Sequence, residues 1–320
     1  MKLFISGGAG FIGSHFAKRA LKENLFSEVI VYDNFSSGTL SHFSSISDKS
    51  NLKIIEGDIK NLNRLTESMS GASLVVHFAA NPDIAKAVTQ PDIDFWEGTY
   101  LTQNILEAMR LNEVRNILYT SGSGIYGESP ETAFHEAYGP CFPISTYGAS
   151  KLACEALISS YCHMFGMSGR AFRFANVVGP LQTHGVGYDF IRRLKQDPTK
   201  LRILGDGTQS KSYIYVDDVI EAMFLIYKNA QIIGASKFDV FNVATDDYIS
   251  VTDIANIACD VAGLNPDSVV FEYTGGDRGW KGDVPKVLFD VSKIKKHGWS
   301  SRFSSKQAIE RSISAMKGEI

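Results

Sequence analysis

Along the first half of the chain, short β-branched runs alternate with longer stretches whose apolar residues recur every three or four positions. Lys2–Ser6, Glu28–Tyr32, Leu52–Glu56, Ser73–His77 and Val114–Thr120 are the short runs. Phe11 to about Glu23 has the helical period, as does Pro91 to about Asn112, where Trp96, Tyr100, Ile105, Leu106 and Met109 are spread along the stretch. Ser145–Gly166 predicts a further helix of about five turns, with Pro143 just upstream and Ser145 or Thr146 as N-cap. Strands alternating with helices of this length point to parallel strands joined by crossover helices. After a strand over Arg170–Asn176 the pattern changes. Helices are expected at Tyr188–Gln196, from Asp217 to about Asn229, and at Thr252–Ala262, Ser292–His297 and Ser305–Met316. Strands are expected at Leu201–Leu204, Tyr213–Val216, Phe238–Asn242 and Val269–Tyr273, with Phe238–Asn242 returning to the large sheet.

The first strand runs directly into Gly7-Gly8-Ala9-Gly10-Phe11-Ile12-Gly13, and a helix follows. Gly8, Gly10 and Gly13 fit GxGxxG, and Gly7, Gly10 and Gly13 fit GxxGxxG. Glycines in that context let backbone N–H groups approach a pyrophosphate at the helix N-terminus, where the dipole favours negative charge. Asp33 closes the second strand, at the place where a Rossmann unit sets an acid against the adenosine ribose 2′-hydroxyl. Asn34–Ser41 contains no Lys or Arg, so a 2′-phosphate would meet a carboxylate with no cation to offset it. The cofactor expected is therefore NAD, not NADP. Asp58 and Ile59 end the third strand, with Asp58 placed to accept from an adenine amino group. Phe78, Ala79 and Ala80 end the fourth, and the two small alanines allow close passage of the dinucleotide. His77, a lone histidine in an apolar strand, is expected to be a hydrogen-bonded core residue.

The predicted fold is α/β. Residues 1–175, with about 213–245, form a doubly wound parallel Rossmann sheet, and residues 176–212 and 246–320 form a smaller interleaved C-terminal domain. No internal repeat or low-complexity segment interrupts it.

Tyr147 and Lys151 lie four residues apart, so both project from one face of the 145–166 helix. An unperturbed phenol titrates near pKa ~10, and bringing one to about 7 takes roughly 4 kcal/mol of differential stabilisation. A neighbouring ammonium supplies part of this and a second positive charge can supply the rest. The fifth strand delivers Ser121 and Ser123 to the same sheet edge, where a hydroxyl can orient a substrate oxygen toward the phenol.

Composition narrows the class. The 320 residues carry 32 Lys+Arg against 35 Asp+Glu, a net charge of −3, and no basic block suited to nucleic acid or a membrane surface. Four cysteines, Cys141, Cys154, Cys162 and Cys259, have neither CxxC spacing nor disulfide density. No apolar run approaches a membrane span, and the few residues before the first glycines are too short for a signal peptide. A cytoplasmic protein is expected. No His/Cys/Asp/Glu cluster has metal spacing, and no metal is expected.

Together these features resemble the extended short-chain dehydrogenase/reductase family, the NAD-dependent nucleotide-sugar epimerases and dehydratases. The residues that carry the resemblance are GGAGFIG at 7–13, Asp33, Asp58-Ile59, FAAN at 78–81, SGSGIYG at 121–127 and YGASK at 147–151. RFANVVGP at 173–180, GDGTQSKSYIYVDDV at 205–219, KGDVP at 281–285, Asp290 and His297-Gly298-Trp299 extend it over almost the whole chain. The resemblance implies that Tyr147 is the general base and acid, that Lys151 holds the nicotinamide ribose, and that Ser123 or Ser121 completes the site. It implies a cofactor set of Gly7, Gly10, Phe11, Ile12, Gly13, Asp33, Asn34, Asp58, Ile59, Phe78, Ala79 and Ala80, with Tyr147 and Lys151. A nucleoside-diphosphate sugar would be held by the C-terminal region, with Asn176 and the backbone around Val186 on its diphosphate or sugar. Lys211, Arg278 and Lys281 are the cations expected near the diphosphate.

Three positions depart from the family pattern. The usual catalytic hydroxyl, four residues before Tyr126, is replaced by Gly122, with Ser123 slightly preferred over Ser121 as its stand-in. Phe95 stands where an Asn commonly precedes Gly98-Thr99, and Lys211 replaces a more usual arginine. The reaction expected is 4-epimerisation of a nucleoside-diphosphate hexose or uronate through a 4-keto sugar. The alternative is a 4,6-dehydratase. Dehydratases of the family carry acid just after the fifth-strand hydroxyl, where this chain has Gly124-Ile125, and Glu128 is the nearest acid. A non-catalytic NAD sensor would not need the Tyr147–Lys151 pair. The resemblance also implies a homodimer built from the 92–112 and 146–166 helices, with Ala153, Ala156, Leu157 and Tyr161 on the shared face.

Overall fold

The computed structural model describes residues 1–128, 133–233, 237–280 and 282–318. The chain runs β1 (Lys2–Ser6), α1 (Phe11–Glu23), β2 (Glu28–Asp33), β3 (Leu52–Glu56), α2 (Leu62–Ser68), β4 (Ala72–His77), α3 (Tyr100–Leu111), β5 (Asn116–Gly122), α4 (Thr146–Phe165) and β6 (Ser168–Phe174). It continues through β7 (Asn176–Val178), α5 (Val186–Gln196), β8 (Lys200–Ile203), β9 (Ser210–Lys211), β10 (Tyr213–Tyr215), α6 (Val216–Ile233) and β11 (Phe238–Val243). The last elements are β12 (Ile249–Ser250), α7 (Val251–Ala262), β13 (Val270–Tyr273), α8 (Ser292–Lys296) and α9 (Ser305–Lys317).

Seven strands form one sheet in the order β11-β6-β5-β4-β1-β2-β3. The pairings of β1 with β2 and β4, of β2 with β3 and of β4 with β5 are parallel. The order reverses at β1, whose neighbours are β2 and β4. That reversal opens a crevice outside the carboxyl ends of the strands, where ligands bind in folds of this class. The central strands β1, β2 and β4 carry near-continuous apolar runs, Leu3-Phe4-Ile5, Val29-Ile30-Val31 and Leu74-Val75-Val76, all buried, as strands covered on both faces require. The expected Rossmann architecture is present.

Backbone clustering divides the chain into two units. The first is 1–125, 146–173 and 223–241; the second is 126–145, 174–222 and 242–320. In the first, α3 and α4 pack on the sheet through Leu101, Ile105, Leu106, Met109, Cys154, Ile158 and Cys162. The second is built on α5, α7 and α9, with Phe190, Leu194, Ile254, Ala258, Ile309 and Ile313 in its core. Its strands pair in three small sheets, β10-β7, β12-β9 and β13-β8. Tyr126 stacks on Phe134 at 4.5 Å and donates to Asn242 Oδ1 at 2.7 Å. Among the described residues, no helix is long and apolar enough to cross a membrane.

The helix expected from Pro91 to about Asn112 is present over residues 93–111 with one irregularity: a π-helical turn over Phe95–Thr99 interrupts its α-helical hydrogen bonding just before α3. Gly98 weakens the α-helical preference within it, and Ser150 of α4 bonds to Asp94 just before the turn and to Thr99 at its end.

His77 is fully buried, with Nδ1 2.7 Å from Ser6 Oγ and Nε2 3.1 Å from Thr102 Oγ1. Burial, and then the nearby charge of Lys151, push its imidazolium down to about 3. The unfolded chain, with a histidine near pKa ~6.5, therefore binds this proton first as pH falls. Stability contributed by neutral His77 is full above about pH 6.5 and declines by up to about 1.4 kcal/mol per pH unit toward pH 3. Urea unfolding at pH 7, 6 and 5 is expected to show this slope, and a His77→Gln variant is expected to lose one proton's share of it.

Candidate active site

The loop between β1 and α1 is held against the neighbouring strands. Gly7 has φ +68° and donates its N–H to Tyr32 O at 2.9 Å. A Cβ at Gly7 would lie 2.6 Å from Ala79 N, and one at Gly13 would lie 2.3 Å from Gly7 O. Backbone meets backbone at both places, so no side chain fits. Helix α1 opens with Gly10 as N-cap, no capping side chain and no acid in its first turn. The amides of its first residues and the positive end of its dipole are left to an anionic ligand.

Asp33 is buried at the rim of this loop. Its Oδ2 accepts from Ala9 N and its Oδ1 from Phe35 N, each at 2.9 Å. Both oxygens retain acceptor capacity, and no cation is paired with the carboxylate among the described residues. Such a group accepts from a vicinal diol and repels a phosphate. Asn34 is exposed and Asp58 is exposed; their Oδ1 atoms accept from Ser36 N at 3.0 Å and Lys60 N at 2.8 Å. Ile59 is buried, with its carbonyl bonded to Asn104 Nδ2 at 3.0 Å. Phe78 packs on Phe16 at 5.6 Å between rings, and Phe78, Ala79 and Ala80 are half-buried. The whole set lies at the carboxyl ends of β1 to β4. A bare helix end, a backbone-tight loop and an uncompensated carboxylate fit a dinucleotide without a 2′-phosphate.

Further along the same edge, Lys151 is only 5% exposed. Its ammonium donates to Thr120 O at 2.7 Å and lies 5.0 Å from the Tyr119 ring centre and 5.5 Å from that of Tyr147. No carboxylate is ion-paired with it among the described residues, and two of its three N–H donors remain for a ligand. Two phenols thus flank one cation. Tyr119 is 2% exposed, and burial pushes its phenol well above the usual range, so it keeps its proton. Tyr147 is the half-buried one, open to an incoming hydroxyl.

The turn Ser123–Ile125 packs on the first turn of α4. A Cβ at Gly124 would be 3.4 Å from Gly148 Cα and 4.0 Å from Tyr147 Cδ1. Ser123 opens this turn and is half-buried. Ser121 is buried with no hydrogen-bond partner for its Oγ. A Cβ at Gly122 would meet nothing within 4 Å, so the position of the missing hydroxyl faces open space.

Sequence reasoning missed Tyr119, the Thr120 carbonyl, and Asp94 with its partner Asn81. The available signal was local: hydroxyl residues Thr146 and Ser150 directly precede Tyr147 and Lys151.

In the second unit, Asn176 is exposed and bonds Ser212 O through both its N–H and its Nδ2, at 3.2 and 3.3 Å. Val186 is the first residue of α5, preceded by Gly185 at φ +104°. Lys211 is ion-paired with Asp283, and Arg278 with Glu128; Arg278 Nη1 also donates to Asp283 O at 3.1 Å. Lys281 lies outside the described residues.

Known proteins resemble this chain over its whole length. Residues 3–244 match the model of the NAD dependent epimerase/dehydratase family. A UDP-glucose 4-epimerase from Corynebacterium glutamicum is 29% identical, with 97% of this chain and 93% of that protein covered. The crystal structure of a UDP-galactose 4-epimerase superposes with a TM-score of 0.87 at 34% identity, over 100% of both chains. That of the UDP-glucuronic acid 4-epimerase from Bacillus cereus, in complex with UDP-glucuronic acid and NAD, gives 0.88 at 26% identity, again over 100% of both. With the family model matched over three quarters of the chain and 4-epimerase structures superposing over its whole length, the chain belongs to the NAD dependent epimerase/dehydratase family, enzymes of the extended short-chain dehydrogenase/reductase type.

Proposed function

We propose that the protein interconverts UDP-sugars at C4 through a transient 4-keto sugar, acting on a hexose or its uronate. The observation that carries this reading is the buried Lys151 beside a half-buried Tyr147, with Ser123 on the turn packed against them. The 4-epimerase relatives support the choice of reaction and of nucleotide.

The chemistry that NAD supplies when bound is reversible acceptance of a hydride. Tyr147 Oη takes the proton of the sugar 4-hydroxyl as C4 is oxidised. It returns that proton once the 4-keto sugar has presented its other face. Ser123 donates to the reacting oxygen and orients it, while Ser121 is the alternative donor. Lys151, anchored on Thr120 O, places its charge beside the phenol and offers its two remaining N–H donors to the nicotinamide ribose. Asp33 accepts from the adenosine ribose hydroxyls, Gly7, Gly10, Phe11, Ile12 and Gly13 line the pyrophosphate, and Asn34, Asp58, Ile59, Phe78, Ala79 and Ala80 border the adenosine and the ribose. Asn176, the Val186 backbone, Lys211 and Arg278 take the sugar nucleotide's diphosphate or sugar. A 4,6-dehydratase needs a further acid just beyond the β5 hydroxyl, where this chain has Gly124-Ile125.

The exposed apolar side chains of the α3 and α4 region, including Trp96 at 45% and Phe165 at 40%, support a homodimer through these helices. Ala153, Ala156, Leu157 and Tyr161 lie along the same stretch of α4, uncovered or half-covered in the single chain.

Incubation with UDP-glucose, UDP-galactose, UDP-glucuronate and UDP-N-acetylglucosamine, followed by NMR of the products, yields an interconverting pair of 4-epimers from at least one of them. A 4-keto-6-deoxy product would replace this reading with the dehydratase, and Tyr147→Phe is expected to lower kcat about 100-fold or more. Calorimetric titration of cofactor-stripped protein is expected to show NAD binding weakened at least about tenfold in Asp33→Ala, with the preference over NADP reduced. Light scattering after size exclusion is expected to give a dimer at micromolar concentration, and a Trp96→Glu variant a monomer.

A further inference from the structure

We propose that Asp94 is a positioning residue that fixes the turns of α4 carrying Tyr147 and Lys151; the inference rests on the reading of Tyr147 given above. Asp94 directly precedes the π-helical turn and is 2% exposed. Each of its carboxylate oxygens takes a different donor. Oδ1 accepts from Asn81 Nδ2 at 2.9 Å, and Oδ2 accepts from Thr146 Oγ1 at 2.7 Å. Its main-chain carbonyl accepts from Ser150 Oγ, also at 2.7 Å.

Thr146 and Ser150 are four residues apart and lie one above the other on α4. Each is the residue immediately before a member of the Tyr147–Lys151 pair. One buried aspartate therefore grips two successive turns of α4 on the face next to the one that carries the chemistry. The fit is close: a Cβ at Gly98 would stand 2.3 Å from Ser150 Oγ, and Thr99 Oγ1 lies 3.0 Å from the same oxygen. The one π-helical turn among the described residues falls at this junction, with Tyr100 N reaching five residues back to Phe95 O.

The carboxylate accepts on both oxygens, and only the Asn81 side demands an acceptor. Asn81 cannot turn its amide round to suit a changed partner, because its Oδ1 is already taken by Asp83 N at 3.0 Å and its Nδ2 also donates to Asp83 O at 2.9 Å. An asparagine at 94 that kept its oxygen toward Asn81 would turn an N–H toward Thr146, forcing that hydroxyl to accept instead of donate, and would remove the charge. A negative charge at the start of α4 also complements the helix dipole.

The test compares Asp94→Asn, Thr146→Val, Thr146→Ser and Tyr147→Phe in the NAD-loaded protein. Turnover is followed with whichever of the four UDP-sugars named above reacts fastest, and amide hydrogen exchange is followed without sugar. Asp94→Asn and Thr146→Val are expected to lower kcat about tenfold or more with KM within about twofold, since displacement of a catalytic group costs rate more than binding. Thr146→Ser, which keeps the hydroxyl, is expected to restore kcat. Exchange of the 146–151 amides is expected to quicken in Asp94→Asn while β6 stays protected. Wild-type kcat in Thr146→Val, a KM effect alone, or unchanged exchange over 146–151 would overturn the proposal. If Tyr147→Phe itself keeps wild-type turnover, the reading of Tyr147 fails instead.

Discussion

An ammonium group buried without a carboxylate partner is costly, by several kcal/mol if nothing else solvates it. Lys151 is in that position, and much of the first unit is arranged around it. The Thr120 carbonyl at the end of β5 and the faces of Tyr119 and Tyr147 supply the compensating negative potential. The nearest acid on the helix, Glu155, is one turn further on and is committed to Arg173 through two hydrogen bonds of 3.0 and 2.7 Å in a buried pair. The cation is therefore held but not neutralised. His77, under the same influence, stays neutral and serves as a hydrogen-bond bridge between β1 and α3.

The cofactor cradle and the Tyr–Lys pair solve different problems on one sheet edge. At β1 and β2 the requirement is close backbone approach, met by glycine and by a carboxylate pinned to two backbone amides. At β5 it is placement of side chains, met by burial and by hydroxyl contacts from α4. The two ends are joined through the parallel strands, so the spacing between dinucleotide phosphate and phenol is set by sheet geometry and not by loops.

The strands, the glycine loop, Asp33 and the Tyr147–Lys151 pair were legible because each depends on local pattern: period, turn chemistry or four-residue spacing. Where the outcome depended on distant partners, the sequence was silent. The helix expected from Pro91 to about Asn112 carries a π turn at Phe95–Thr99, and Asp94, just before it, has its partners Thr146 and Ser150 some fifty positions away. Tyr119 reads as one more apolar strand residue until Lys151 is seen beside its ring. Lys211 and Arg278 read as cations for a diphosphate, yet their acidic neighbours Asp283 and Glu128 come from separate stretches and had no local signature.

The order of strands has a consequence for biosynthesis. β11 borders β6 at one end of the sheet, but its residues begin at Phe238. About three quarters of the chain must leave the ribosome before that strand exists. Until then β6, synthesised some seventy residues earlier, presents an unpaired backbone edge. Nascent chains stalled in that interval are the form most exposed to mispairing, and the ones a chaperone would meet.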